Sequence, residues 1–289
     1  MSIIVNTEWQ SEPEIFTGTI TELTEIPNAG DLPVLELTIE NSFEQYEVVM
    51  FQPHRDLQLT QIPDCAVQLV LWEGERGSAV SRSDTVILLD TPDTLLHLPA
   101  SKLCCPDLAV EIELFIGACP MQPLADFVRQ VLGQPSIGMR FLNGFMQEPG
   151  LRQPGSLARH GLDVATRSFD ACRGLSEEDR WLAAIAGLLH GIGQIELPDS
   201  EPVDHLRIAL KGLGLLSEGM QRLGKTHADA AKTIQFIVAS MYRIGSPTRP
   251  DPRALVVQST HLVAAQFQSE LMHTAKTHLG DASTLPLIP

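Results

Sequence analysis

The sequence predicts an α+β protein in two parts, with a small β-barrel over residues 1–105 and an all-helical region over residues 106–280. Stretches in which apolar and polar residues alternate fill the first part, as half-buried strands require. In the second part apolar residues recur every three or four positions, which is typical of amphipathic helices. The charge changes at the same place: residues 1–105 carry four basic and seventeen acidic side chains, net −13, and the rest carry sixteen and nineteen, net −3. Leu98–Pro106, which holds two prolines, is the expected boundary.

Five strands are predicted in the first part from this alternation and from its many Val, Leu, Ile and Thr residues. They are Ile15–Leu23, Val34–Ile39, Gln45–Phe51, Val67–Trp72 and Ala79–Leu89. Turns are expected at Pro27–Gly30, Asp31–Pro33 and Asn41–Phe43. Five short strands in about 100 residues fit an OB-like barrel, and a generic five-stranded sandwich or an SH3-like barrel would fit the same pattern.

Seven helices are predicted in the second part. They are Met121–Leu132, Ile137–Met146, Ser156–Cys172, Glu177–His190, Pro202–Leu223, His227–Tyr242 and Pro252–His273. Ser176 precedes two acidic residues and is expected to cap the helix that follows, because its side chain can accept a hydrogen bond from an unpaired amide. Gly191 and Gly193 are expected to end that helix, and Thr226 is another candidate cap.

The composition excludes several classes of protein. With 289 residues, of which 44% are hydrophobic, the chain can form a sizeable core and is not a disordered protein. A formal net charge of −16 argues against salt-dependent binding to nucleic acid or to an anionic membrane, because both need a basic surface. We therefore expect a protein partner, or an interface with the chain's own neighbouring domain, for the acidic first part.

The five cysteines show neither C-x-x-C nor zinc-finger spacing, and Cys104 and Cys105 are adjacent. This pattern indicates thiols in a reducing compartment. The first residues, MSIIVNTEWQSEPE, contain no basic or apolar leader, and no stretch reaches the roughly 18 apolar residues of a membrane helix. A cytoplasmic location, away from membranes, is expected.

Three stretches of the helical part follow one another in an order that carries a family resemblance. They are Pro154–Ala165 (PGSLARHGLDVA), Leu182–Ile195 (LAAIAGLLHGIGQI) and Gly245–Pro250 (GSPTRP), the last followed by the helix over 254–265. Together they resemble the HD superfamily of metal-dependent phosphohydrolases, in which the first two motifs approximate GGLLEHTLEVA and ALLHDIGKI. Within it, the chain is similar to bacterial 3′–5′ exoribonucleases that join an OB-fold to an HD domain, and to HD-type, TraI-like conjugative relaxases.

The resemblance places His160 and His190 at the first two histidines of the family's metal site. Where the family has the metal-bridging aspartate after the second histidine, this chain has Gly191, which has no side chain to act as a ligand. His261 stands at the position of the last aspartate. Gln194 replaces the usual lysine, Gly212 aligns with a further histidine, and Met241 and Tyr242 replace a double histidine.

These departures predict a degenerate HD domain that has lost hydrolysis, because a hard cation prefers the missing carboxylate oxygen. Three imidazoles, of His160, His190 and His261, are the candidate ligands for a weakly held divalent transition metal such as Zn, Ni or Mn. Each histidine also has a structural interpretation: His160 as a core residue bonded to a carbonyl, His190 as a complement to the helix dipole, and His261 as a polar residue on a half-buried helix.

Arg243 and Arg249 flank the GSPTRP segment and are the candidate substrate-binding residues, because a guanidinium can hold a phosphate with two hydrogen bonds. The alternative is that they cap a helix end or pair with Asp251. His205 and His227 lie outside the motifs and are expected at the surface.

Three functions follow from the sequence as hypotheses. The first is a non-catalytic binding or regulatory protein built on the HD fold, with no catalytic residue. The second is a metal-dependent phosphohydrolase or 3′–5′ exonuclease with an unusual set of metal ligands. The third is a nucleic-acid-associated module of conjugative, TraI-like machinery, which would need a basic patch in the second part.

Overall fold

The computed structural model describes residues 14–26, 34–51, 65–72, 80–83, 86–89, 94–148, 151–198, 204–241 and 251–281. Within them the chain has an α+β fold, with the strands first and the helices after, as predicted. The strands are β1 Glu14–Ile26, β2 Val34–Glu40, β3 Gln45–Phe51, β4 Ala66–Leu71, β5 Val80–Ser83 and β6 Val86–Leu88. The predicted fifth strand is thus present as two shorter ones.

The strands form one sheet in the order β5-β3-β2-β1-β4-β6. All neighbours are antiparallel except β3 and β5, which are parallel. A register shift between Ile20 and Glu22 divides the long β1, whose first half pairs with β4 and whose second half pairs with β2. The sheet curls, since Cα atoms of β4 and β5 approach within 8 Å. Among the described residues no ladder joins its two ends, so the structure shows a six-stranded sheet, and its closure into a barrel stays a prediction.

One face of the sheet is buried because alternate residues of each strand point to the same side. Its apolar cluster includes Ile20, Leu35, Ile39, Val67 and Leu69. The predicted turn after β2 is confirmed: the Asn41 side-chain oxygen accepts hydrogen bonds from the amides of Phe43 and Glu44, each at 2.8 Å. The segment over 27–33, with the other two predicted turns, lies outside the described residues.

Eight α-helices follow the sheet within the described residues. They are α1 Pro106–Gly117, α2 Gln122–Leu132, α3 Pro135–Asn143, α4 Ser156–Ala171, α5 Glu177–Leu189, α6 His205–Thr226, α7 Ala228–Ser240 and α8 Pro252–Asp281. Seven correspond to predicted helices, and α1 is additional. The Ser176 cap is confirmed, since its hydroxyl accepts from the Asp179 amide at 3.1 Å. The Thr226 prediction is wrong: Thr226 is the last residue of α6, and its hydroxyl donates to the Leu223 carbonyl.

Helix α5 lies at the centre of the helical part, because every residue from Trp181 to Leu189 is buried. It packs against α4, α7 and α8, and a 3-10 turn over Ile192–Glu196 carries the chain from its end towards α6. Gly193 allows this close approach, since a Cβ there would lie only 2.0 Å from the Ile208 carbonyl oxygen. None of the described helices has the length and apolarity needed to cross a membrane.

The segment over 94–103 connects the sheet to the helices. Its Leu95, Leu98 and Leu103 belong to the helical core, which is separate from the apolar cluster of the sheet. On the sheet side the buried Glu40 carboxylate accepts hydrogen bonds from the Ser101 amide, at 2.6 Å, and from the Ser101 hydroxyl. The segment over 94–103 thus contacts both the sheet and the helices. The domain boundary after residue 105 stays a prediction.

Candidate metal centre

Three helices each place one histidine at the same point of the helical core. His160 lies on the buried face of α4, His190 caps the C-terminus of α5, and His261 lies on α8. The exposed fractions are 0% for His160, 1% for His190 and 9% for His261. The sequence predicted these residues as ligand candidates, and the structure brings all three together although up to 101 positions separate them.

The ring nitrogens converge on the Nδ1 atom of His261. His160 Nε2 lies 2.8 Å from it and His190 Nε2 lies 3.0 Å from it. One nitrogen from each ring falls in a group whose atoms all lie within 4.8 Å of one another. We call His160, His190 and His261 the imidazole cluster.

Hydrogen bonds on the outer side of the cluster determine which nitrogen carries a proton. His190 Nδ1 lies 2.6 Å from the Gly187 carbonyl oxygen, which only accepts, so Nδ1 donates and Nε2 keeps its lone pair. His160 Nδ1 lies 3.2 Å from Gln268 Oε1, and with that amide orientation it donates in the same way. Both Nε2 lone pairs therefore point at His261. Metal-binding histidines are oriented by the same kind of outer hydrogen bond.

Burial keeps the three imidazoles neutral. Desolvation, followed by the nearby His261, lowers the pKa of His160 to about 3. The same two causes, with a contribution from His160, hold the pKa of His190 well below its ordinary value. Desolvation, with the exposed His205 as a secondary cause, lowers the pKa of His261 to about 4. Neutral imidazole is the form that binds a metal, so the cluster needs no deprotonation at neutral pH.

Two of the three distances between ring nitrogens are close to those of a three-histidine metal site. Two nitrogens bound to one tetrahedral zinc at 2.0–2.1 Å are about 3.3 Å apart. The distances of 2.8 and 3.0 Å in the cluster are a few tenths of an ångström shorter. With no ion, the three facing nitrogens can share one proton on His261; an ion in place of that proton would give each of them a bond.

No carboxylate joins the imidazole cluster among the described residues. At the position of the expected aspartate, a Cβ on Gly191 would lie 3.1 Å from Leu157 Cδ1 and 3.4 Å from Gln194 Nε2. Gln194 is itself held in place, because its side-chain oxygen accepts from the Gln147 amide at 3.0 Å. The space beside His190 is therefore filled by Leu157 and Gln194.

The other predicted positions fall into three groups. Met241 is buried in the helical core, and Gly212 packs against Gly193 without entering the cluster. Tyr242, Arg243 and Arg249 lie outside the described residues, so the predicted substrate site stays a prediction. His205 and His227 are exposed, as predicted.

Asp251, the alternative partner of the two arginines, binds Arg253 at 2.6 Å. That hydrogen bond is the main reason why the pKa of Asp251 lies below its usual value.

The sequence analysis missed the residues around the cluster. Gly187 lies one turn before His190, and Gln268 lies two turns after His261, so helical spacing could have identified both as partners on the same face. Glu148 is a further case: burial raises the pKa of its carboxyl group, and its Oε2 atom has no hydrogen-bond partner among the described residues. It lies in a segment without helical or strand periodicity, and no sequence signal indicates its burial.

No family model, curated protein or solved structure matches this chain.

Proposed function

We propose that the helical part is a degenerate HD-like domain that binds one transition-metal ion on the imidazole cluster, and that the protein acts as a non-catalytic binding or regulatory protein. The observation that carries this proposal is the convergence of three neutral ring nitrogens, two of them oriented by outer hydrogen bonds, on one buried point. A structural role alone leaves three nitrogens to share one proton.

The donor set favours Zn²⁺ or Ni²⁺ over Mn²⁺ and Mg²⁺. Imidazole suits the first two ions, whereas the hard ions prefer carboxylate, carbonyl and water oxygen. The described cluster contains nitrogen only. A second, carboxylate-bridged ion has no ligand beside Gly191, which supports the loss of the two-metal chemistry of HD phosphohydrolases.

The proposal extends to the first part, which we assign as an OB-like barrel that binds a protein partner or packs against the chain's own helices. Two features of the sheet support the barrel. β5 pairs with β3 and β6 pairs with β4, at opposite ends of the strand order, and only residues 84–85 separate β5 from β6 along the chain. If β5 and β6 form one continuous strand, the two ends of the sheet come together. Net charge −13 over residues 1–105 favours a basic protein partner over nucleic acid.

Metal titration tests the proposal. Protein stripped with a chelator is titrated with Zn²⁺ and Ni²⁺ by calorimetry, and bound metal is counted by elemental analysis. We expect one ion per chain. His190→Ala and His261→Ala should weaken binding by more than the roughly 10–100-fold loss typical of an outer hydrogen-bond partner, and Gln268→Ala should fall within that range. His227→Ala is the matched control, since His227 is exposed, and it should leave binding unchanged.

Binding that survives both His190→Ala and His261→Ala in folded protein would refute the metal site. A separate assay follows hydrolysis of bis-p-nitrophenyl phosphate and of single-stranded RNA with Zn²⁺, Ni²⁺ and Mn²⁺. We expect no turnover. Turnover that His190→Ala abolishes would instead establish the phosphohydrolase alternative.

A further inference from the structure

Two adjacent thiols lie on the chain where it enters α1. Cys104 is exposed, Cys105 is half-buried, and neither is in a disulfide. Consecutive side chains of an extended segment point in opposite directions. Cys105 has extended φ, −139°, with ψ of 80°, and at this bend both sulfur atoms turn to the same side.

The sulfur atoms converge on Gly155, the residue before α4. The point at which a Cβ on Gly155 would stand lies 3.2 Å from Cys104 Sγ and 3.3 Å from Cys105 Sγ. Gly155 has φ of +80°, a conformation that favours glycine, and its missing side chain leaves this space to the two thiols. The two sulfurs therefore face one common point beside Gly155.

Backbone contacts hold this arrangement and leave both sulfurs available. The Asn143 side chain accepts a hydrogen bond from the Cys104 amide and donates one to the Lys102 carbonyl, both at 2.7 Å. The Gly155 amide donates to the Asn143 carbonyl at 3.2 Å, which fastens the start of α4 to the same residue. The Cys104 thiol donates a hydrogen bond to the Leu142 carbonyl oxygen at 3.6 Å and keeps its sulfur lone pairs for a ligand.

We propose that Cys104 and Cys105 form a chelating dithiol site for a soft, thiophilic ion, either Cu⁺ or trivalent arsenic. Soft thiolate ligands select such ions over the borderline and hard divalent metals. A structural zinc site would need four protein ligands, and no histidine or carboxylate joins the two sulfurs among the described residues. The site is separate from the imidazole cluster and does not depend on it.

The protonation of Cys104 limits its oxidation before an ion binds. Burial, and next the neighbouring Cys105, raise the pKa of Cys104, so that thiol stays protonated near neutral pH. A protonated thiol is a poor nucleophile, so spontaneous oxidation is slow, whereas a soft ion displaces the protons as it binds.

The reaction with an arsenical involves no oxidation or reduction. Phenylarsine oxide in water is the dihydroxide, in which arsenic carries one phenyl group and two hydroxyl groups. Two As–S bonds form, two As–O bonds break, and each departing hydroxyl leaves with one thiol proton as water. The product is a cyclic dithioarsonite that spans residues 104 and 105. Cu⁺ instead replaces the two protons, which pass to the buffer.

Titration with phenylarsine oxide, followed by intact-protein mass spectrometry, tests the dithiol site. We expect one adduct per folded chain. Cys104→Ser and Cys105→Ser should each weaken binding by about 100-fold or more, because a second thiol held nearby acts at high effective concentration. Cys65→Ser is the control that should keep the adduct. Circular dichroism confirms that each variant is folded.

A parallel titration measures Cu⁺ against the chromogenic chelator bicinchoninate. Binding of one of the two ions, lost in both serine variants, supports the site and identifies its ligand. Three results would overturn it: neither ion binds the folded wild type, binding persists in the double variant Cys104→Ser/Cys105→Ser, or the adduct maps to Cys65. His261→Ala should leave arsenical binding unchanged, which separates this test from that of the imidazole cluster.

Discussion

The imidazole cluster and the Glu40–Ser101 contact are both buried polar groups, yet they differ in how completely the protein satisfies them. Glu40 is 6% exposed, and both of its carboxylate oxygens accept a hydrogen bond from Ser101. These two hydrogen bonds offset the cost of burying the carboxylate, and they connect the sheet to the segment that leads into the helices. A structural role therefore accounts for Glu40 in full.

The imidazole cluster differs in that two acceptors share one donor. His160 and His190 direct lone pairs at His261 Nδ1, which offers at most one proton while the rings are neutral. Apolar residues would fill this part of the core at lower cost, since buried polar groups rarely improve stability over well-packed hydrophobic ones. This arrangement of polar groups around one point is the basis of the proposed metal site.

The largest expected effect is a loss of stability in acid, which comes from the imidazole cluster. The pKa values of His160 and His261 fall from 6.5 to about 3 and about 4 in the folded protein, and that of His190 falls as well. The unfolded chain therefore binds more protons between pH 6.5 and 4. Stability should be fully present above pH 6.5 and should decline as the pH falls, by about 1.4 kcal/mol per pH unit for each imidazole.

Urea denaturation of metal-free protein at several pH values measures this slope. His261→Leu, which removes one imidazole and retains apolar volume, should flatten the slope between pH 6.5 and 4.5 and should change stability at pH 7.5 by less than about 1.5 kcal/mol. An equal slope in wild type and His261→Leu would contradict the lowered pKa of this residue.

Loss of the Glu40 carboxylate should have the next largest effect. Glu40→Ala leaves the Ser101 amide without its acceptor in a part-buried site, and the free energy of unfolding should fall by about 1–3 kcal/mol. Glu40→Gln keeps one acceptor oxygen, so its free energy of unfolding should fall by less. Denaturant titration measures both variants, and neither should alter metal binding. An unchanged free energy of unfolding in Glu40→Ala would show that the contact does not stabilise the connection.

Restoring the absent carboxylate should change stability by a similar amount and should fail to restore hydrolysis. Gly191→Asp places a Cβ against Leu157 and Gln194, so we expect a loss of about 1–3 kcal/mol from overpacking and no phosphodiesterase activity. Gly214→Asp is the matched control, because no atom lies within 4 Å of its added Cβ. Turnover in Gly191→Asp alone would mean that only the carboxylate had been lost.

Much of the fold follows from local patterns. Period-two alternation located the strands, and apolar spacing located seven helices, because each pattern repeats within one element. The missed helix α1 begins at a proline, at N1, within the segment that the sequence analysis treated as a boundary. Thr226 was misassigned because threonine also ends helices, and one residue cannot distinguish the end of α6 from the start of α7.

The candidate site could be predicted only as a set of residues. The order of the motifs singled out His160, His190 and His261, and Gly191 marked the missing carboxylate. Spacing along the chain gave no information on whether Leu157 and Gln194 fill the space beside Gly191, or on the contact between Gln268 and His160. Those contacts depend on how α4, α5 and α8 cross.

By itself, the sequence determined the succession of strands and helices, the acidic first part and the identity of the three histidines, because these depend on composition and on short-range periodicity. The tertiary structure decided that three imidazoles from distant positions meet and stay neutral, with no carboxylate beside them in the part of the chain that the structure describes, and that two adjacent thiols face one point. Distances of 3 Å between side chains on different helices are set by packing, which no local pattern encodes.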